Sequence, residues 1–328
     1  MRTLRIWLFF MILTLLAGAL TGCANPAIQN KEDDALLLGF SQLGSESGWR
    51  IGNTRSVEEA AEAAGVRLML ENANQSQEKQ ITALRSFIAY RVDVIAFSPI
   101  VQEGWDNVLR VAKEAGIPVI IEDRTINTAD ETLYAVHVGS DFYSEGVMAG
   151  EYLLKKLSTL PSDTTLNVVE LTGTQGSSPM LLRSAGFRDT VASESRIHIL
   201  DSVSGDFMIS KGKECVRAML EKYGTDFQAL FSHNDAMMYG ALDAFGEYGV
   251  NPGKDVIVIS VDGEQRAIDL LKEGKVNCVV ECTPMLGEAI MRIAQDLKDG
   301  RPVERDIHSQ ERAFTEFDDL SDLAPRGY

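Results

Sequence analysis

Residues 36–70, LLLGFSQLGSESGWRIGNTRSVEEAAEAAGVRLML, carry the pattern that decides the fold. The apolar run Leu36–Phe40 predicts a buried strand, and Arg67–Leu70, which is entered through Gly65, predicts a second one. Between them, small apolar residues recur at helical spacing over Asn53–Ala64 and predict a helix with one buried face. A strand, a helix and another strand in this order form a βαβ unit, in which the two strands lie parallel in one sheet.

The same alternation continues along the chain. Further strands are predicted at residues 93–97, 117–121, 135–138, 167–171, 198–203, 229–232, 256–261 and 278–282. Further helices are predicted at residues 77–90, 105–115, 144–157, 181–193, 210–222, 235–248, 265–273 and 286–298. The acidic end of the chain after the last helix is expected to be poor in strands. Strands separated by helices of roughly 10–15 residues form parallel sheets with both faces covered, so we expect an α/β fold.

About ten strands are many for one sheet, and polar joins at 139–141, 262–263 and 283–284 divide them into two sets. We therefore expect two doubly wound parallel-sheet domains joined by a three-stranded hinge. Loops at the carboxyl ends of the strands would line a cleft between the domains, which is where open α/β sheets bind ligands. The predicted boundaries assign 35–138 plus 284–312 to the first domain and 139–283 plus 313–328 to the second.

The amino terminus forms a separate segment. The apolar run Ile6–Leu20 follows two arginines and is shorter than the ~20 residues of a membrane span, so residues 1–23 are predicted to be a secretion signal. Leu20-Thr-Gly-Cys23 resembles the bacterial lipobox, in which the signal is cut before the cysteine and the thiol is lipidated. The alternative is a signal cut elsewhere, with Cys23 incidental. On the favoured interpretation the protein is exported and anchored at a membrane surface, with residues 24–34 as a polar tether.

Composition excludes some classes of partner. The chain has 328 residues and a formal net charge of −17, and it contains no basic cluster, so nucleic acid is not expected to bind. Beyond Cys23 it has three cysteines, Cys215, Cys278 and Cys282, so an exported protein would keep at least one free thiol. We expect these cysteines to be small buried apolar residues. No spacing of cysteine and histidine typical of a metal site is present, and no cofactor or metal is expected.

Polar side chains follow the predicted strands at the ends that would face the cleft. These residues are Glu46, Ser47, Gly48, Trp49 and Arg50 after the first strand, Asp123 and Arg124 after 117–121, Arg183 beyond the loop after 167–171, Asn234 after 229–232, and Asp262 after 256–261. Carboxylates accept hydrogen bonds, guanidinium groups donate them and an amide does both, which suits the hydroxyl groups of a neutral polyol. Trp49 would cover the C–H face of a sugar ring. An anion would be expected to need donors without acidic neighbours.

Each of these assignments has a structural alternative. Asp123 and Arg124 could be a surface ion pair without function. Asn234 and Asp235 could both cap the following helix; we assign the cap to Asp235 and the cleft to Asn234. Asp262 could belong to a turn only.

Three further residues are assigned to structure rather than to a ligand. Asp206 and Phe207 read as part of a loop, and His233 is expected to pack against a neighbour. For Trp105, a place in the core and a ligand contact are about equally favoured by its position at the start of a helix.

Several motifs together point to one family. They are Gly39-Phe-Ser-Gln-Leu-Gly-Ser-Glu-Ser-Gly-Trp-Arg50, Asp123-Arg124, Val169-Glu-Leu-Thr-Gly-Thr174, Ser204-Gly-Asp-Phe207, Ser210-Lys-Gly-Lys213, His233-Asn-Asp235, Val261-Asp-Gly263 and Thr283-Pro284. The chain resembles the periplasmic sugar-binding proteins of the ribose and galactose type, the solute receptors of ABC importers, and most closely the branch that binds galactofuranose.

The resemblance implies a type I periplasmic binding protein fold, a monomer whose hinge closes on a monosaccharide, and an ABC transporter permease as partner. It also implies that the ten strand-end residues named above contact the sugar. Two departures affect the pocket, since many relatives carry a glutamine where this chain has Cys282, and the segment Gln175–Pro179 differs.

Three other functions share parts of this pattern. A sugar receptor for a chemotaxis or two-component sensor would have the same residues. An exported glycosidase would need two carboxylates across a scissile bond, and the arginines beside Glu46 and Asp123 would lower the pKa of these acids, which is wrong for a general acid. A sugar-responsive repressor would carry a helix-turn-helix where this chain has an export signal. We therefore expect a binding protein and not an enzyme.

Overall fold

A computed structural model describes residues 35–328. The predicted secretion signal, the predicted tether and Cys23 lie outside the described residues. The strands are β1 Leu37–Gln42, β2 Arg67–Asn72, β3 Val94–Phe97, β4 Val119–Glu122, β5 Val136–Gly139, β6 Leu166–Thr172, β7 Ile197–Ser204, β8 Ala229–Ser232, β9 Ile257–Asp262, β10 Cys278–Glu281, β11 Asp306–His308 and β12 Ala313–Thr315. The α-helices are α1 Gly48–Ala64, α2 Gln77–Tyr90, α3 Asp106–Glu114, α4 Phe142–Ser158, α5 Ser178–Val191, α6 Ile209–Tyr223, α7 Asp235–Glu247, α8 Gln265–Lys272 and α9 Gly287–Lys298.

The strands form two six-stranded sheets. The first has the order β11-β5-β4-β3-β1-β2 and is parallel throughout. The second has the order β12-β10-β9-β8-β6-β7 and is parallel except for β12, which runs antiparallel to β10. In each sheet the strand order reverses once, between β1 and β3 or between β6 and β8, and such a reversal opens a crevice at the carboxyl ends of the strands. The predicted fold class, two parallel-sheet α/β domains, is confirmed.

Helices cover both faces of each sheet, so the central strands are buried on both sides. In β3, Val94 and Ala96 pack into one apolar cluster, whereas Ile95 and Phe97 pack into the cluster on the opposite face. Trp105 is fully buried against Phe97, with ring centroids 4.9 Å apart, and its indole N–H donates to the carbonyl of Val101. Trp105 is therefore a core residue, which settles the alternative left open by the sequence.

The carboxyl-terminal segment departs from expectation. Residues 306–308 and 313–315 form β11 and β12, which pair with the edges of the first and second sheets. The prediction of a strand-poor end was wrong, because each strand has only three residues and the side chains of β11 are mostly exposed, so no apolar run marks them. The chain thus passes from the first sheet to the second twice, after β5 and between β11 and β12, and returns once, after β10.

Candidate ligand-binding cavity

The carboxyl ends of both sets of strands surround one cavity that contains about 310 Å³ of empty space. Of the ten residues predicted for the ligand site, all except Gly48 line it. Its remaining lining residues are Phe142, Pro179, Phe207 and Cys282, which the sequence reasoning did not assign to the site.

Helix α1 explains the position of Gly48. The helix begins at Gly48, five residues earlier than predicted, because the Ser47 side chain caps it by accepting a hydrogen bond from the Arg50 N–H. Trp49 and Arg50 therefore project from a helical first turn and not from a loop. A Cβ atom at Gly48 would lie 2.6 Å from Oε1 of Glu264, so this glycine allows close contact between α1 and the second domain.

Asn234 has both of the roles that the sequence offered as alternatives. Its Oδ1 accepts from the Met237 N–H, 2.9 Å away, and caps α7, while the residue also lines the cavity. The cap assigned to Asp235 was wrong. The fully buried Asp235 carboxylate instead accepts from Ser260 and from the backbone N–H groups of Gly263 and Glu264, and so fixes the loop after β9.

Arg50 and Asp123 form the centre of the first-domain wall. Nη2 of Arg50 donates to Oδ2 of Asp123 at 2.5 Å, and the guanidinium lies over the Trp49 ring, 4.6 Å from its centroid. Oε1 of Glu46 lies 3.5 Å from Nε of Arg50. Burial opposes the charge of Arg50, but Asp123 and Glu46 outweigh burial and raise the pKa of Arg50. Both buried acids therefore have a permanent cationic partner.

Arg124 lies beside this pair. Its side chain is 3% exposed and that of Asp123 is 5% exposed, so the alternative of a surface ion pair is wrong. Arg124 donates to the carbonyl of Ile100 at 2.9 Å, and its guanidinium lies 5.2 Å from the Phe207 ring centroid. Burial and the charge of Arg50 lower the pKa of Arg124 to about 10.

The second-domain wall contains Arg183 and Asp262. Arg183 donates from Nε to Oε2 of Glu145 and from Nη1 to the carbonyl of His233, each at 2.5 Å. Burial and the neighbouring Asp235 raise the pKa of Asp262 well above its usual range, which is the opposite direction to the one expected for cavity acids beside arginines. His233 is buried against Glu170, 3.0 Å away, as expected for a packed histidine.

Three aromatic rings supply the apolar surface of the cavity: Trp49, Phe142 and Phe207. The Trp49 N–H donates to the carbonyl of Cys282 at 2.7 Å, which ties α1 to the segment after β10. A Cβ atom at Gly173 would lie 1.8 Å from the Phe207 ring, so only glycine leaves room for that ring. Phe207 lies in the loop between β7 and α6, as predicted, and it reaches the cavity through a positive φ of 62°, which nothing in its local sequence indicates.

The described residues include one group of side chains whose spacing would suit a metal ion. In this group, Glu145, Cys282 and Glu311 have potential ligand atoms within 4.8 Å of one another. Hydrogen bonds from Arg183, Ser140 and the Thr283 N–H engage Oε2 of Glu145 and Oε1 of Glu311, so we do not assign a metal to the group. Over residues 35–328, no helix combines the length and apolar character that crossing a membrane requires.

Two parallel-sheet α/β domains with a polar and aromatic cavity at their strand ends define a two-domain solute-binding architecture. The chain belongs to the periplasmic binding protein family, because the family described as "periplasmic binding protein domain" matches residues 38–302.

The relatives of this chain include sugar-binding proteins. It is 38% identical over 302 residues to the galactofuranose-binding protein YtfQ of Escherichia coli K12. The matched region covers 91% of this chain and 92% of that protein. A crystal structure from Mycobacterium smegmatis in complex with β-D-fucofuranose is 41% identical, with a TM-score of 0.83, and the match covers 86% of this chain and 92% of the other. The periplasmic binding component of the arabinose ABC transporter from Shewanella sp. ANA-3, bound to α- and β-L-arabinofuranose, is 38% identical, with a TM-score of 0.82 over 85% of this chain and 92% of that one.

Proposed function

We propose that this protein captures a monosaccharide outside the cytoplasm and delivers it to an ABC transporter. A sugar in its furanose form is the favoured ligand, with galactofuranose first, because the relatives described above bind furanoses. The observation that carries the proposal is the combination, in one cavity, of buried acids, buried arginines and three aromatic rings. A sugar presents hydroxyl groups that both donate and accept and C–H faces that pack on rings, and this lining offers a partner for each.

Seven of the ten strand-end residues named from the sequence have distinct proposed roles, and Phe207 joins them. Asp123 and Asp262 accept from sugar hydroxyls, the three arginines donate to them, and Trp49 and Phe207 cover the ring faces. Because Arg50 and Asp123 already form a buried ion pair, they can bind a neutral polar ligand without leaving either charge unpaired. Gly48 contributes through the close approach of α1 and not through a contact with the sugar.

Domain closure completes the site. The N–H of Gln102 donates to the carbonyl of Gly176 at 3.0 Å, and the N–H of Thr125 donates to Oγ of Ser178 at 2.9 Å. Each bond joins a loop of the first domain to the segment between β6 and the start of α5 in the second, so both require the domains to be closed. A sugar that contacts both walls stabilises this closed state relative to an open one.

We further propose the domain boundaries, processing and anchoring inferred from the sequence. Residues 35–138 with 284–312 and residues 139–283 with 313–328 would move as the two bodies, while the signal would be removed and Cys23 lipidated. The protein would act as a monomer and carry out no chemistry.

A thermal-shift screen tests the proposal. Free pentoses and hexoses are compared with methyl furanosides and methyl pyranosides, which are locked in one ring form. A ligand at a hundredfold excess over Kd stabilises the protein by about 2.7 kcal/mol, so the binding sugar should raise Tm clearly. The absence of a shift with every sugar, or hydrolysis of a glycoside, would overturn the proposal.

A further inference from the structure

A buried cluster connects the three segments that join the sheets. Glu311 lies between β11 and β12, and its Oε1 accepts from Oγ of Ser140 at 2.5 Å and from the N–H of Thr283 at 3.1 Å. Ser140 follows β5 and Thr283 follows β10, so one carboxyl group binds both of the other crossovers. Sγ of Cys282, which lines the cavity, lies 3.3 Å from Oγ of Ser140.

Glu145 extends this cluster toward the cavity. Its side chain is fully buried in the first turn of α4, and its Oε2 accepts from Nε of Arg183 at 2.5 Å. Its other oxygen, Oε1, is buried and has no hydrogen-bond partner among the described residues when both glutamates are ionised. The Glu311 carboxyl and the Cys282 thiol both lie near it, because one oxygen of each glutamate and the Cys282 sulfur lie within 4.8 Å of one another. A proton on Glu311 would supply a donor to the unpartnered oxygen.

We propose that Glu311 and Glu145 share a single proton as a carboxylic acid–carboxylate pair, and that this pair positions Arg183 in the ligand cavity. Glu311 is thereby a positioning residue that acts through Glu145. The inference rests on the proposed sugar-binding function and adds a hinge residue to it. Two carboxylates with oxygen atoms within 4.8 Å of each other repel when both are ionised, and Arg183 stabilises the ionised form of Glu145.

The charges around the pair agree with this assignment. Burial and the neighbouring Glu145 raise the pKa of Glu311 to about 9. Burial also raises the pKa of Glu145, and Arg183 opposes that rise. Asp262 and the Cys282 thiol are the other titratable groups near Arg183, and burial raises the pKa of both.

The remaining charged groups of the adjoining elements have contacts of their own. Glu281 pairs with Arg326, the guanidinium of Arg312 lies over the Phe314 ring, and Asp141 caps α4. None of these contacts involves the Glu145–Glu311 pair, so its ionisation is set mainly by burial, by the repulsion between the two carboxylates and by Arg183.

The pair predicts a specific pH dependence of sugar binding. Loss of the proton from Glu311 places a second negative charge beside Glu145, which weakens the positioning of Arg183. If binding requires protonated Glu311, Kd should rise about tenfold from pH 8 to pH 10, because one pH unit above a pKa of about 9 the group is mostly ionised. Glu311→Gln keeps an uncharged side chain that can donate and accept, so its Kd should stay constant to within about twofold.

The experiment compares three proteins by titration calorimetry with D-galactose, whose solutions contain the furanose forms, and with methyl β-D-galactofuranoside. They are the wild type, Glu311→Gln, and Glu114→Gln as a matched control at an exposed position near the end of α3. The wild type and Glu114→Gln should share the rise in Kd, and Glu311→Gln should lack it. Identical profiles for the wild type and Glu311→Gln would overturn the shared proton while leaving the proposed function intact.

Failure of the proposed function has a different signature. If neither sugar nor any other sugar of the screen binds at any pH, sugar binding is rejected, and the pair is then judged on the ligand-free protein. The pair predicts that Tm of the wild type falls more between pH 8 and pH 10 than that of Glu311→Gln. Equal falls in Tm would overturn it. The same measurement shows whether Glu311→Gln is folded before its binding is interpreted.

Discussion

Arg124 is a buried cation, and in the ligand-free protein its surroundings oppose its positive charge. It lies near Arg50, and this repulsion, added to burial, lowers its pKa. We expect Arg124→Ala to raise Kd for the sugar by about a hundredfold, because about 3 kcal/mol of charge-assisted hydrogen bonding would be lost. Tm of the ligand-free protein should change little. The matched control is Arg85→Ala, at an exposed position of α2, and a large fall in Tm for Arg124→Ala alone would indicate a structural role.

Glu122 makes the stability of the ligand-free protein depend on pH. Burial and the adjacent Asp123 raise its pKa from 4.5 to about 7, and Asn53 donates to its Oε1 at 2.5 Å. The folded state therefore holds a proton between these two pH values that the unfolded state has lost, so the stability contributed by this group falls as pH rises from about 4.5 to 7.

Glu122→Gln should remove that part of the decline, which corresponds to about 3 kcal/mol. Urea unfolding at pH 4.5 and pH 8 measures it as the difference between wild type and variant, with Glu114→Gln as the exposed control. A variant whose free energy of unfolding declines as steeply as that of the wild type would show that Glu122 is ionised throughout this range.

At the scale of the element, the start of α1 sets the direction of two cavity side chains. Ser47 caps α1 and Ser76 caps α2 in the same way, through the N–H three residues on. Ser47→Ala and Ser76→Ala should each cost about 1 kcal/mol of stability. Only Ser47→Ala should also weaken sugar binding, because Trp49 and Arg50 occupy the first turn that the cap holds. Equal Kd values for the two variants would mean that packing alone fixes this turn.

Particular residues and elements show how much of the structure could be predicted from the sequence. The cavity residues after β1, β4, β8 and β9 could be predicted, because polar residues directly after buried strands are visible in one dimension. The start of α1 was missed, since Gly48 is a poor helix former and only its contact with the second domain explains it. Phe207 was missed because its backbone conformation brings it to the cavity. The contact between Glu145 and Glu311 joins distant parts of the chain, and no local pattern specifies it.

At the scale of the whole molecule, closure depends on a few bonds between the domains. Ser178 accepts from the Thr125 N–H across the cleft, whereas its neighbour Ser177 donates to the carbonyl of Thr174 within one loop. Ser178→Ala should raise Kd about fivefold, because a bond of about 1 kcal/mol exists only in the closed state. Ser177→Ala should leave Kd unchanged to within about twofold. The Kd values of the two variants are compared by calorimetry with the sugar found in the screen. Equal increases in Kd would indicate that binding depends on contacts within the second domain and not on the bond across the cleft.

The position of Trp49 has an optical consequence. Its indole lines the cavity and bonds to the segment after β10, whereas Trp105, the other tryptophan of the described residues, is buried in the first-domain core. A ligand that enters the cavity changes the polarity around one fluorophore and leaves the other as an internal reference. The unlabelled protein can therefore report occupancy through its own emission. In a protein from which residues 1–23, including Trp7, have been removed, replacing Trp105 by phenylalanine would leave Trp49 as the single tryptophan.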